Sequence, residues 1–105
     1  MDGNIQTKID SIMNTEPEIP LNQKMIYSDI GLIVLGKIIE SVSQSSLDEY
    51  VDSVVFKPLG MKTTFYNPPI EKIKRIIPTE YSSLYGETII GYVHDENAKS
   101  IGGIA

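Results

Sequence analysis

This sequence has no cysteine, a single histidine, no long apolar run and no dense cluster of positive charge. Each absence removes a class of function. Without cysteine there are no disulfides, no thiolate metal sites and no cysteine nucleophile, and the compartment stays open on either side of a membrane. The apolar run from Ile30 to Ile39 is too short to span a bilayer, and Lys37 interrupts it. The N-terminus is polar and acidic, with no apolar segment of the signal-peptide kind. A net charge of −5 argues against binding to nucleic acid or to an anionic membrane. Lys72, Lys74 and Arg75 are the densest basic group, and they read as a solvated helix face.

What remains is an ordinary globular composition. With 41% hydrophobic residues the chain is not generally disordered, and 105 residues suffice for one small domain with a modest core. There is no internal repeat and no low-complexity segment.

The apolar pattern predicts about four short helices and a long irregular C-terminal segment. Ile5, Ile9, Ile12 and Met13 share a face over residues 1–13, with Asp2 or Asn4 as the cap. Pro17 and Pro20 make residues 14–22 a connector. The second helix follows Tyr27, with Ser28 or Asp29 as N-cap. Its apolar residues, Ile30, Leu32, Ile33, Val34, Leu35, Ile38, Ile39 and Val42, cover more than one stripe, so burial on most sides is expected. Gly31 and Gly36 weaken that helix, and close approach of a neighbouring element would explain them.

Ser46 to Glu49 has the capping-box pattern, and helical spacing then runs to Leu59, where Pro58 and Gly60 stop it. Asn67-Pro68-Pro69 opens a shorter helix with Ile70, Ile73 and Ile76 inward. Residues 87–93 are β-branched and read as a strand whose partner the sequence does not identify. The tail, residues 100–105, is small and apolar with no closing helix. It suggests a cut through a longer chain, as does a helical pattern already under way at Met1.

The stretch Tyr27-Ser28-Asp29 at the mouth of the second helix is the first place for chemistry. A phenol held in a cleft can act as a general base when nearby cations lower its pKa from about 10. Taken alone, a tyrosine before a helix is a packing residue. His94-Asp95-Glu96 lacks the spacing that would let several side chains converge on a metal, and no serine is marked as a triad partner of His94. This segment reads as a loop that hydrogen-bonds locally. Tyr50, Tyr66, Tyr81, Tyr85 and Tyr92 read as core-edge or surface aromatics, with Tyr81 and Tyr92 as cleft candidates.

Tyr27-Ser28-Asp29-Ile30-Gly31, then Leu35-Gly36-Lys37-Ile38-Ile39-Glu40, then Phe56-Lys57-Pro58-Leu59-Gly60-Met61-Lys62-Thr63-Thr64 resemble, in order and spacing, the serine β-lactamase and penicillin-binding-protein-like family. The branch is that of class C β-lactamases, DD-peptidases and esterases. Residues 91–98 followed by Gly102-Gly103 resemble the return segment of some members. The resemblance implies a mainly α piece, residues 1–105, of the helical domain in a β-lactamase-like α+β fold. It implies a serine hydrolase acting by acyl transfer on an amide or ester, with Tyr27 in general acid/base work and Asp29 at the substrate and hydrogen-bonding position. Asp29 stands where the family has asparagine, so the amide's donor is lost.

The family's Ser-x-x-Lys nucleophile motif is not present, since no serine here has lysine three residues on. Nor is a Lys-Thr-Gly or His-x-Gly motif. The chain alone is therefore expected to be inactive. No cofactor or metal is expected. The expected partner is the remainder of the parent domain, with self-association through exposed apolar surface as a consequence of its absence. The alternative is a small helical interaction module without catalysis, whose isoleucine-rich face meets a partner.

Overall fold

A computed structural model describes residues 2–103 of the chain. Its elements are α1 (Asp2–Met13), α2 (Asp29–Ser43), α3 (Leu47–Val51) continuing as a π-helical turn (Asp52–Phe56), a 3-10 helix (Ile70–Arg75), β1 (Glu80–Ser82), β2 (Glu87–Ile89) and α4 (Glu96–Ser100). The mainly helical class holds. These elements group into two compact units that divide between Tyr50 and Val51.

In the first unit, α2 begins where its sequence says it should. Ser28 has extended backbone, and its Oγ accepts from the Gly31 N–H at 3.1 Å, so one unpaired donor of the first turn is satisfied. The helix ends at Gln44, which adopts the left-handed conformation at φ 56° and donates its N–H to the Glu40 carbonyl. Its side-chain amide also reaches the Ser41 carbonyl at 2.6 Å. Glu40 links α2 to α3. Its carboxylate takes Lys37 Nζ at 2.6 Å and accepts from the Leu47 N–H at 3.3 Å, serving the first turn of α3. Ser46 hydrogen-bonds Asp48 in that same turn.

Two expectations for α2 are overturned. The helix is not buried on most sides. Leu32, Leu35 and Ile38 are about half exposed and Val42 is 81% exposed, while Ile33, Val34 and Ile39 are only half-buried. An apolar pattern sets which surface wants cover, but cover needs a second element, and α1 alone does not supply it. Nor do the glycines mark a close approach. A Cβ on Gly36 would meet only Leu47 Cδ2 at 3.9 Å, and one on Gly31 would meet Ser28 at ordinary contact distance.

The second unit is built differently. After α3 the chain is π-helical over Asp52–Phe56 and continues in turns to Gly60, whose φ of +66° suits glycine. Phe56 then stacks obliquely on Tyr66, ring centres 6.1 Å apart. The 3-10 helix starts after Pro69, as the sequence implies. Ile73 and Ile76 face inward, but Ile70 is 87% exposed because it opens the element where nothing covers it.

β1 and β2 form an antiparallel hairpin with Glu80 opposite Ile89 and Ser82 opposite Glu87. The strand predicted over 87–93 is thus shorter, and its missing partner is Glu80–Ser82. Gly86, at φ +67°, closes the connection by donating to the Ser82 carbonyl. Ile89, 1% exposed, is the one fully buried hydrophobic side chain among the described residues.

Gly91 lies just beyond, at φ +73°, and the Cβ of any other residue there would sit 2.7 Å from Ile73 Cδ1. The 3-10 helix and the chain leaving β2 therefore approach closely at a residue whose backbone and space favour glycine.

Just ahead of the tail the chain forms a short helix, α4, that the sequence reading did not foresee. Asp95 caps α4 by accepting from the Ala98 N–H at 2.6 Å. At the other end the Gly103 N–H reaches the Ala98 carbonyl and the Gly102 N–H the Lys99 carbonyl, with Gly102 at φ +78°. That pairing is a Schellman motif. The last two residues of the tail, Ile104 and Ala105, lie outside the described residues.

Candidate functional site

Tyr27, Ser28 and Asp29 form a rim where a connector becomes a helix. The segment ahead of it is well exposed, with Leu21 88% and Met25 95% exposed. Ser28 is committed to the cap, so its hydroxyl is a structural acceptor. On one side of it stands Tyr27, 81% exposed, whose phenol makes no hydrogen bond or ion pair among the described residues. On the other side Asp29 is the first residue of α2 and is also exposed. A carboxylate at that position faces the positive end of the helix dipole, a structural reason for acid in place of amide.

The rim thus presents a phenol and a carboxylate to the outside at one helix mouth. Such an arrangement can donate to or accept from a bound group. It does not by itself hold a cation against the phenol, and a phenol becomes a useful base only beside one.

The other candidates belong to the second unit. Asp95 is the N-cap of α4 and Glu96 is in its first turn, while His94 is exposed. No group of three or more His, Asp or Glu side chains able to hold a metal occurs among the described residues. Tyr81 is 66% exposed on β1.

Tyr92 belongs to a cluster that the sequence did not announce. Its hydroxyl donates to Glu87 Oε1 at 2.6 Å, and Lys99 Nζ lies 4.1 Å from the Tyr85 ring centre and 5.0 Å from that of Tyr92. Both distances suit cation–π attraction. The bond to Glu87 raises the Tyr92 phenol above the usual tyrosine range, because the carboxylate binds the neutral hydroxyl and repels a phenolate. Hairpin and α4 bring these residues together. No local spacing would have found them.

No single helix among the described residues is long and apolar enough to cross a membrane.

The family model described as Beta-lactamase matches residues 3–96. Three relatives, from Salmonella paratyphi B (strain ATCC BAA-1250 / SPB7), Salmonella newport (strain SL254) and Salmonella enteritidis PT4 (strain P125109), are provisionally named D-alanyl-D-alanine carboxypeptidase. Each is 35% identical over 113 aligned positions, covering 94% of this chain and 26% of the relative. The chain therefore spans about a quarter of the length of these curated relatives. No solved structure matches it significantly.

Proposed function

This chain belongs to the beta-lactamase family, and from that premise we propose that it is the tyrosine-bearing helical part of a serine hydrolase that transfers acyl groups from an amide or ester. Tyr27 is the general acid/base in this reading. It receives the proton of a serine nucleophile carried on other sequence and returns a proton to the leaving group. Asp29 faces the substrate and, being ionised, can only accept a hydrogen bond.

The observation that carries the reading is the rim itself. The cap serine is used up in starting α2, and the tyrosine beside it is left 81% exposed with no partner among the described residues. A phenol kept free at the mouth of an apolar helix suits a role completed by groups from elsewhere. The names of the relatives support a D-alanyl-D-alanine peptide as one substrate to test.

By the same reasoning the chain alone does not hydrolyse. Nitrocefin, p-nitrophenyl acetate and a D-alanyl-D-alanine peptide should each be turned over no faster than in buffer. Joined to a segment that supplies Ser-x-x-Lys, it should gain hydrolysis that Tyr27→Phe strongly reduces. Turnover by the chain alone that Tyr27→Phe abolishes would overturn the proposal.

The uncovered face of α2 bears on the partner. Leu32, Leu35, Ile38 and Val42 leave apolar surface in water, which fits a helix whose cover comes from the rest of a larger domain. We read this face as the seam with that domain, and self-association as its consequence in isolation. A self-sufficient interaction module would stay monomeric or specifically dimeric, melt cooperatively and bind little ANS. Concentration-dependent association with strong ANS binding is the result expected here, from sedimentation analysis and fluorescence.

A further inference from the structure

The basic residues set aside as a solvated face have a more particular arrangement. Lys72 and Arg75 lie three apart on the 3-10 helix, where three residues make one turn and side chains at that spacing eclipse. Both line a cavity of about 210 Å³, together with Thr63, Phe65 and Ile76. Lys74, on the same helix, does not.

Among the described residues, no carboxylate lines the cavity. The ion pairs among the described residues are Lys37 with Glu40 and Lys57 with Asp52, so neither Lys72 nor Arg75 has an acidic partner. The surroundings do not dilute this. Residues 1–50 hold eight acidic and three basic residues, whereas residues 51–105 hold six of each. The cavity is a local positive site in the electrically balanced half of an acidic chain.

We infer that Thr63, Lys72 and Arg75 form a binding pocket for a small oxyanion, a carboxylate or phosphate group, whose apolar substituent rests on Phe65 and Ile76. Two aligned cations without a counter-ion repel each other, and an anion between them removes that cost. The guanidinium of Arg75 offers a planar fork matched to two oxygens of a carboxylate or phosphate. Lys72, half-buried, adds a point charge, and the Thr63 hydroxyl can donate a third bond. The partly exposed Phe65 ring and the half-buried Ile76 give the pocket an apolar wall beside the two cations. The inference does not depend on the hydrolase reading, since none of these residues belongs to the Tyr27 rim.

The test is a titration of the full isotopically labelled chain, followed by amide shifts in NMR. The probes are inorganic phosphate and benzoate, each against sodium chloride at matched ionic strength. Saturable shifts at Thr63, Lys72 and Arg75 are expected with one or both probes. Benzoate binding more tightly than phosphate would assign the site to carboxylates with an apolar group, and the reverse order would assign it to phosphates. The pair Lys72→Gln and Arg75→Gln should weaken the apparent affinity by about tenfold or more. Lys74→Gln makes the same change of charge beside the pocket and should leave affinity within about twofold. Shifts that never saturate, or an equal loss in Lys74→Gln, would overturn the site, and the wild-type titration decides the first of these without any variant.

Discussion

Helix α2 and strand β2 of the second unit treat their apolar residues differently. Helix α2 has the densest apolar run in the chain, yet Leu32, Leu35 and Ile38 remain about half exposed and Val42 largely so. The second unit has a less apolar sequence, yet it alone contains a fully buried hydrophobic side chain among the described residues, Ile89. The difference lies in turns. Gly86, Gly91 and Gly102 adopt positive φ, fold the chain back on itself and bring short elements against each other. The stretch leading into α2 has Asn22 at positive φ but is otherwise exposed and wraps nothing over the helix. Hydrophobicity creates the demand for cover, and backbone reversals supply it.

The sharpest test of this contrast is a pair of truncations. Ile89→Ala should cost about 2–5 kcal/mol, since it removes a buried side chain and leaves a void. Val42→Ala, at an 81% exposed site, should change stability by no more than about 0.5 kcal/mol. Urea unfolding followed by circular dichroism measures both. Similar costs at the two sites would mean that α2 is covered in solution, through self-association or otherwise, and repeating the Val42 measurement on dilution would identify that cause.

Glycine gives the next comparison, with opposite signs in the two units. Gly91→Ala forces a side chain into the left-handed region and against Ile73 Cδ1 at 2.7 Å. Part of the clash can be relieved by turning the isoleucine, so the expected cost is about 1–3 kcal/mol, mostly from the backbone. Gly36→Ala, within a helix, would make only an ordinary contact with Leu47 Cδ2 at 3.9 Å and should stabilise by up to about 1 kcal/mol. A destabilising Gly36→Ala would reveal a neighbour pressed against α2, as the sequence first suggested.

A cap comparison is smaller again. Ser28→Ala should cost about 1 kcal/mol by releasing the Gly31 N–H, while Ser28→Asp should restore most of it. Because Ser28 sits between Tyr27 and Asp29, this pair also asks whether the rim depends on a well-started helix.

These cases show what could be read in advance. Local signals were legible: Ser28 as a cap, Pro69 before the 3-10 helix, and the helical character of residues 2–13 and 29–43. The α4 helix carried its own signals, Asp95 ahead of it and Gly102 behind, and was missed because its five residues are too few to show an apolar period. What could not be read was pairing. β2 announced itself by β-branched residues, but β1, Glu-Tyr-Ser, has no such bias and forms through the reversal at Gly86. The burial of α2 failed for the same reason, since an amphipathic pattern does not say whether a partner exists. Of the candidate site, Tyr27 and Asp29 were legible as a motif, while the Tyr85–Tyr92–Lys99 cluster and the eclipsed Lys72 and Arg75 required three dimensions.

The smallest expected effects separate the two units by pH. In the first unit, Ser46 donates to the Asp48 carboxylate and, with nearby backbone N–H groups, holds its pKa below the ordinary aspartate value of about 3.9. A depressed folded pKa contributes stability above the unfolded value and loses it as pH falls through the folded one. In the second unit, the Tyr92 phenol is raised above about 10 by its bond to Glu87. A raised folded pKa contributes stability below the unfolded value and loses it as pH climbs through the folded one. The first unit should therefore lose this contribution only at the acid end, and the second only at the alkaline end. Both groups remain partly open to solvent, so each contribution is slight and should shrink further in salt. Ultraviolet titration of the phenols, compared with Tyr92→Phe, should reveal one late-ionising tyrosine that the variant lacks. Amide exchange near α4 should then quicken above that pH in the wild type and show no such step in the variant. If Tyr92 ionises with the other tyrosines, Glu87 does not hold it in solution, and the tie between β2 and the chain leading to α4 is weaker than the 2.6 Å hydrogen bond implies.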